Sequence, residues 1–151
     1  MKPNFWKLSQ GPSNRAEFCY ADMIESIASG LVYLHKDTPA KGSLPQTQAH
    51  DFIHAPIGDY FYLTHGNEGM FLIGQFSGAA NIFSKLKGGW IERPYKFITP
   101  AISKARYSGV DKWWSPNHFS TFIKVKDDEL VSFEQEILIP HFGMKLADYG
   151  L

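Results

Sequence analysis

Residues 58–78 read GDYFYLTHGNEGMFLIGQFSG, and this stretch decides the fold. Two β-rich runs flank Gly66-Asn67-Glu68-Gly69, whose composition suits a tight turn. The pattern predicts a β-hairpin. In the first run Tyr60 and Tyr62 alternate with Phe61 and Leu63, so neither face is strongly polar. A strand apolar on both faces belongs to a sheet that is closed or covered. The chain returns from the hairpin through residues 81–89, a short basic loop with one aromatic, Phe83. Loops carried on a rigid sheet are where function concentrates.

Outward from the hairpin, short elements of two periods follow one another. Asn4 to Ser9 sets Phe5, Lys7 and Ser9 against Trp6 and Leu8 and predicts a strand. Gln10 to Asn14 is a turn, and a helix over 15–29 follows, with Asn14 and Glu17 spaced as a capping box. Tyr20, Ile24, Ile27 and Leu31 form its expected buried stripe, and Gly30 stops it. Leu31 to His35 predicts a second strand, and Gln48 to Ala55 a short helix with Ala49, Phe52 and Ile53 inward. Trp90 to Ile98 is a strand in which Pro94 requires an edge or a bulge. Ala101 to Asn117 is irregular and basic, and His118 to Val125 is the last expected strand. Asp127 or Asp128 caps a terminal helix with Leu130, Phe133 and Ile137 on its buried face, and Pro140 stops it. Phe142, Met144, Leu146 and Leu151 imply a packed tail. No repeat or linker divides the chain, so residues 1–151 are expected to be a single α+β domain. Its expected form is a small, strongly curved mixed sheet or barrel of about six strands with flanking helices.

The 151 residues are 44% hydrophobic, enough for a sizeable core, and 15% aromatic, which suggests rings beyond the needs of that core. Net charge is zero, yet Lys85 to Lys126 holds nine basic residues and two acids. That segment carries +7 and the remainder −7, so a neutral chain can still offer a positive face to a polyanion. Solvated lysines on strands and loops give the same count. A single cysteine, Cys19, excludes an intrachain disulfide. The N-terminus lacks a signal-like apolar run, and no stretch reaches the ~18 apolar residues of a membrane span. These features lead to the expectation of a cytoplasmic protein with no membrane partner.

Catalytic signatures are missing. His50 and His54 are spaced i, i+4, but no further ligand pattern accompanies them, and two surface histidines explain them as well. No Gly-x-Ser-x-Gly, phosphate-binding loop or dinucleotide fingerprint occurs. Asp127-Asp128 and Glu134/Glu136 read as a cap and a solvated helix face. The expectation is a binding domain with no catalytic residue, no metal and no cofactor.

The order Phe5-Trp6-Lys7-Leu8-Ser9, helix, Leu31–His35, Ile57–Leu63, Leu72–Phe76 and Gly88–Ile98 resembles the EVE/YTH branch of the PUA-like superfamily, over about residues 4 to 99. The resemblance implies a small β-barrel that reads a modified nucleobase swung out of its strand into an aromatic cage. It implies the specificity domain of a McrB-type, modification-dependent restriction system, with nuclease and AAA+ domains or subunits doing the cutting. Residue by residue it implies a base-binding set of Ser9, Asn14, Tyr33, Leu34, Phe83 and Leu86. Asn14 as a helix cap and Tyr33 as a core tyrosine are the competing readings. Phe83 stands where the family often has Trp.

Stacking yields ~1–3 kcal/mol per base, and extruding a base costs about as much, so phosphate contacts must supply the remainder. Lys85, Lys87, Arg93, Lys104, Arg106 and Lys112 are the candidates. Trp113 or Trp114 is a candidate wedge for the vacated stack, or else a pin between loop and core. The expected partner is DNA carrying a methylated or hydroxymethylated base. A reader of modified RNA, or a small-ligand or protein-interaction domain, is the alternative.

Overall fold

Along the chain run β1 (Phe5–Ser9), α1 (Tyr20–Ala28), β2 (Leu31–His35), α2 (Gln48–His54), β3 (Tyr60–Thr64), β4 (Met70–Phe76), β5 (Trp90–Pro100), β6 (Phe122–Lys124) and α3 (Leu130–Phe133). This computed structural model describes residues 2–10, 20–41, 46–84 and 88–151. The expected hairpin is β3–β4, paired from Tyr60 with Gln75 to Thr64 with Met70. Around it the strands take the order β2-β5-β4-β3-β1-β6 in one mixed sheet. β1 and β3 run parallel, and the other neighbours antiparallel.

The sheet curls into a half-barrel, and β5 makes the bend. Its first half pairs with β2, from His35 with Trp90 to Leu31 with Pro94. Its second half pairs with β4, from Phe76 with Tyr95 to Leu72 with Pro100. Pro94 stands where the partner changes. Its missing N–H lies beyond the end of β4 and costs no ladder bond, while its carbonyl accepts from Ser77 N. Among the described residues the barrel does not close through its strands, since β2 and β6 remain the two ends of the sheet.

Alternation along each strand fills both faces. Trp6, Leu8, Phe61 and Leu63 join one core with Met23 of α1 and Phe52 of α2. Phe5, Tyr62 and Ile73 join a second with Trp114, Phe133 and Ile137. Gly74 lies directly beneath two rings of the first core, Phe61 and Tyr95. A Cβ there would lie 2.5 Å from Phe61 Cζ and 2.8 Å from Tyr95 Cδ2, whose rings meet edge to face. Gly74→Ala is therefore expected to destabilise the fold by about 1–3 kcal/mol, read as a lower urea midpoint at unchanged slope.

Four expectations are corrected. The α1 stripe is Met23, Ser26 and Ile27, because Ile24 turns to solvent at 42% exposure. β6 spans only Phe122–Lys124, since residues 116–121 leave the sheet as a loop. Neither Asp127 nor Asp128 caps. Lys126 is the N-cap without a side-chain bond, and the acids fall in the first turn, where negative charge is favourable. Pro140 does not stop the helix. The chain continues past α3 as a π-helical segment, Glu134–Phe142, and ends at Gly143 with φ of +65°. The wider turn relieves the clash of a proline ring with the carbonyl four residues back. Among the described residues no helix is long and apolar enough to cross a membrane.

Candidate functional site

Curling brings the end of β1 opposite β2, although three strands separate them in the sheet. A cleft of about 610 Å³ opens there, and the loop before β6 forms its far wall. Gln10 bridges the gap. Its side-chain oxygen accepts from Tyr33 N at 2.5 Å, and its own N–H donates to Thr64 O at 2.9 Å. A side chain thus joins the strands that the ladder leaves apart.

Tyr33, Leu34 and His35 from β2, with Trp90 from β5, line one side of the cleft. The His35 ring meets Trp90 edge to face at 5.1 Å. Its Nδ1 lies 3.1 Å from Asp37 N, which donates, and its Nε2 lies 2.8 Å from Gly88 O. The neutral ring therefore carries its proton on Nε2. Burial, then Glu92 and Glu25, push the Tyr33 hydroxyl above its ordinary value, so it stays a neutral phenol.

The far wall runs from Pro116 to Thr121. Gln48, almost fully buried in α2, accepts from Thr121 N at 2.7 Å and Phe122 N at 2.8 Å. Its amide also donates to Pro39 O at 2.9 Å, so one side chain fixes both lips of the cleft. From below, the buried Lys7 ammonium donates to Ser115 O, His118 O and Ser120 Oγ.

Of the expected base-binding set, the fold brings Ser9, Tyr33 and Leu34 together on this cleft. Asn14, Leu86, Lys85 and Lys87 lie outside the described residues. Phe83 is corrected. It is 85% exposed, its N–H donates to Asn81 Oδ1, and it does not line the cleft. Trp90, which the sequence marks only as a strand residue, is a further aromatic there, beside Tyr33.

Arg93 is also corrected as a phosphate contact. It is buried, donates to Gly78 O and Phe52 O, and lies over the Phe76 ring at 4.2 Å. Arg106 pairs with Glu68 at 3.1 Å and Lys112 with Glu129 at 3.7 Å, both at the surface, while Lys104 is exposed. Trp114 cannot wedge, because it is fully buried against Phe133 and its carbonyl accepts from Tyr62 OH. Trp113 is 41% exposed and packs on His118. His50 and His54 stack on each other at 4.1 Å, and among the described residues no group of three His, Cys, Asp or Glu could hold a metal.

The residues missed in the sequence are Gln10, Gln48, Trp90 and the 116–121 loop. Only the loop had a legible signal: Pro116-Asn117 is turn chemistry directly before the expected strand. No protein-family model matches this chain, and no curated protein matches it.

Proposed function

We propose that the cleft binds a nucleobase swung out of its strand, and that the chain is a non-catalytic reader of a modified base in DNA. The observation that carries this reading is the presence of Tyr33 and Trp90 in one cleft of small-ligand size. Among the described residues, the charged ones that line the cleft, histidines aside, are Asp37 and Lys41. Flat aromatic surfaces with neutral polar neighbours suit an uncharged heteroaromatic ring, recognised by stacking and by hydrogen bonds to its edge. The motif order shared with the PUA-like EVE/YTH branch supports the same reading and favours a restriction system. In such an arrangement this domain supplies recognition, and nuclease and NTPase units supply cleavage.

The test is a panel of matched duplexes carrying methyl-adenine, methyl-cytosine, hydroxymethyl-cytosine or no modification, with RNA counterparts, followed by anisotropy at rising salt. One modification is expected to bind at least about tenfold tighter than the unmodified duplex, through stacking that the added group strengthens. Affinity is expected to fall as salt rises, because phosphate contacts release counterions. Equal binding across the panel, or none at low salt, overturns the proposal. Preference for the RNA arm replaces DNA with RNA as the partner.

A further inference from the structure

Phe119 is an aromatic ring that the fold does not use. It stands on the rim of the cleft at 81% exposure. The residues flanking it are nevertheless held on both sides: His118 O and Ser120 Oγ accept from Lys7, and Thr121 N donates to Gln48. Lys41, also on the rim, places its ammonium 4.9 Å from the centre of the Phe119 ring. The segment bearing Lys41 is fixed by the same Gln48, through Pro39 O. A pinned, solvent-facing ring with a cation above it presents one stacking surface and one positive charge at the cleft mouth.

We infer that Phe119 and Lys41 form a lip for the strand beside the flipped base. Phe119 stacks on the neighbouring base that flipping leaves with one bare face, and Lys41 neutralises the adjoining phosphate. This inference rests on the base-reading proposal above. It moves the expected wedge from Trp113 and Trp114 to a residue that lines the cleft. A ring carried on a segment that is already held leaves only side-chain freedom to lose on stacking, which lowers the entropic cost of the contact.

The experiment uses the modified duplex that wild type prefers, with 2-aminopurine next to the modified base. Wild type is expected to keep the probe quenched, because Phe119 replaces the lost stacking partner. Phe119→Ala is expected to leave the probe bright and to weaken duplex binding about tenfold. The modified nucleoside alone, which has no neighbour, is expected to bind both proteins equally. Lys41→Gln is expected to reduce the salt slope of log K by about one phosphate's worth. Unchanged probe emission and duplex affinity in Phe119→Ala overturn the lip while leaving the base reading standing. Loss of nucleoside binding in Phe119→Ala overturns it too, by making Phe119 part of the pocket. If wild type fails to prefer any modified duplex, the base reading falls and takes the lip with it.

Discussion

Tyr33→Leu is expected to remove discrimination between modified and unmodified bases, while Tyr33→Phe retains it. Tyr33 lines the cleft and is 7% exposed, so most of its ring lies in the core beside Leu34 and Trp90. Leucine keeps the apolar filling and the main-chain bond from residue 33 to Gln10, but it has no plane. Stacking on one aromatic face contributes ~1–3 kcal/mol, so the loss is roughly 5- to 150-fold in affinity for the modified base. Phenylalanine keeps the plane and removes only the hydroxyl. Trp90→Leu is expected to act in the same direction. Because both rings would face one ligand, the double variant should lose less than the sum of the two. Phe83→Ala is expected to leave the ratio unchanged, since that exposed ring does not line the cleft. Oligonucleotide competition at fixed salt measures all of these ratios. Undiminished discrimination in Tyr33→Leu, with Phe83→Ala losing it, would relocate the base to the 81–89 loop.

The contrast between Tyr33 and Phe83 shows what kind of information the sequence held. Strands were legible because period-two alternation is local. Tyr60, Phe61, Tyr62 and Leu63 announce a doubly covered strand, and the two cores divide them accordingly. The cleft depends on which strand ends meet after the sheet curls, and no local pattern carries that. Gln10 meets Tyr33 across 23 residues and Gln48 meets Thr121 across 73. Ordinary glutamines become the fasteners of the site only in the folded chain. Charge counting failed at Arg93 for a related reason. Next to Pro94, where β5 changes partner, the curl turns this side chain inward to carbonyls of residues 52 and 78. Residues 118–121 were expected at the start of the last strand, yet His118 O, Ser120 Oγ and Thr121 N are taken by the Lys7 and Gln48 side chains. Side-chain bonds of high sequence separation outcompeted a local propensity there.

Lys7→Met is expected to produce the largest loss of stability. Alternation along β1 puts Lys7 on the face of Phe5, and that face is covered, so the ammonium is fully buried. It donates to Ser115 O at 2.8 Å, His118 O at 3.0 Å and Ser120 Oγ at 2.9 Å. Methionine fills the volume but takes one bond from each oxygen, leaving Ser115 O with His118 N, His118 O with Ser120 N and the Ser120 hydroxyl with Trp113 O; each bond lost to a charged donor costs ~1.5–3 kcal/mol. Removing a buried charge offsets part of this, leaving a net cost of about 2–4 kcal/mol. For a chain of this size that lowers the melting temperature by roughly 5–15 °C. Burial, opposed by Asp111, brings the Lys7 ammonium down from the ordinary 10.5 to about 7. Between these two values the unfolded chain holds more protons than the folded one, so this group makes stability rise with pH from about 7 to 10.5. Below about 7 both states are protonated and the slope vanishes. Lys7→Met should therefore be less stable throughout and should also lack the wild-type rise over that window. Both are read from melting temperature against pH. The neutral amine has two hydrogens for three oxygens, so one tie to the 115–120 wall is lost as pH climbs. The wall should then exchange its amide hydrogens faster, once corrected for intrinsic rates, while the fold as a whole gains stability. Parallel pH profiles for wild type and Lys7→Met would mean that Lys7 does not titrate in this range, and would remove it as the control point of the cleft wall.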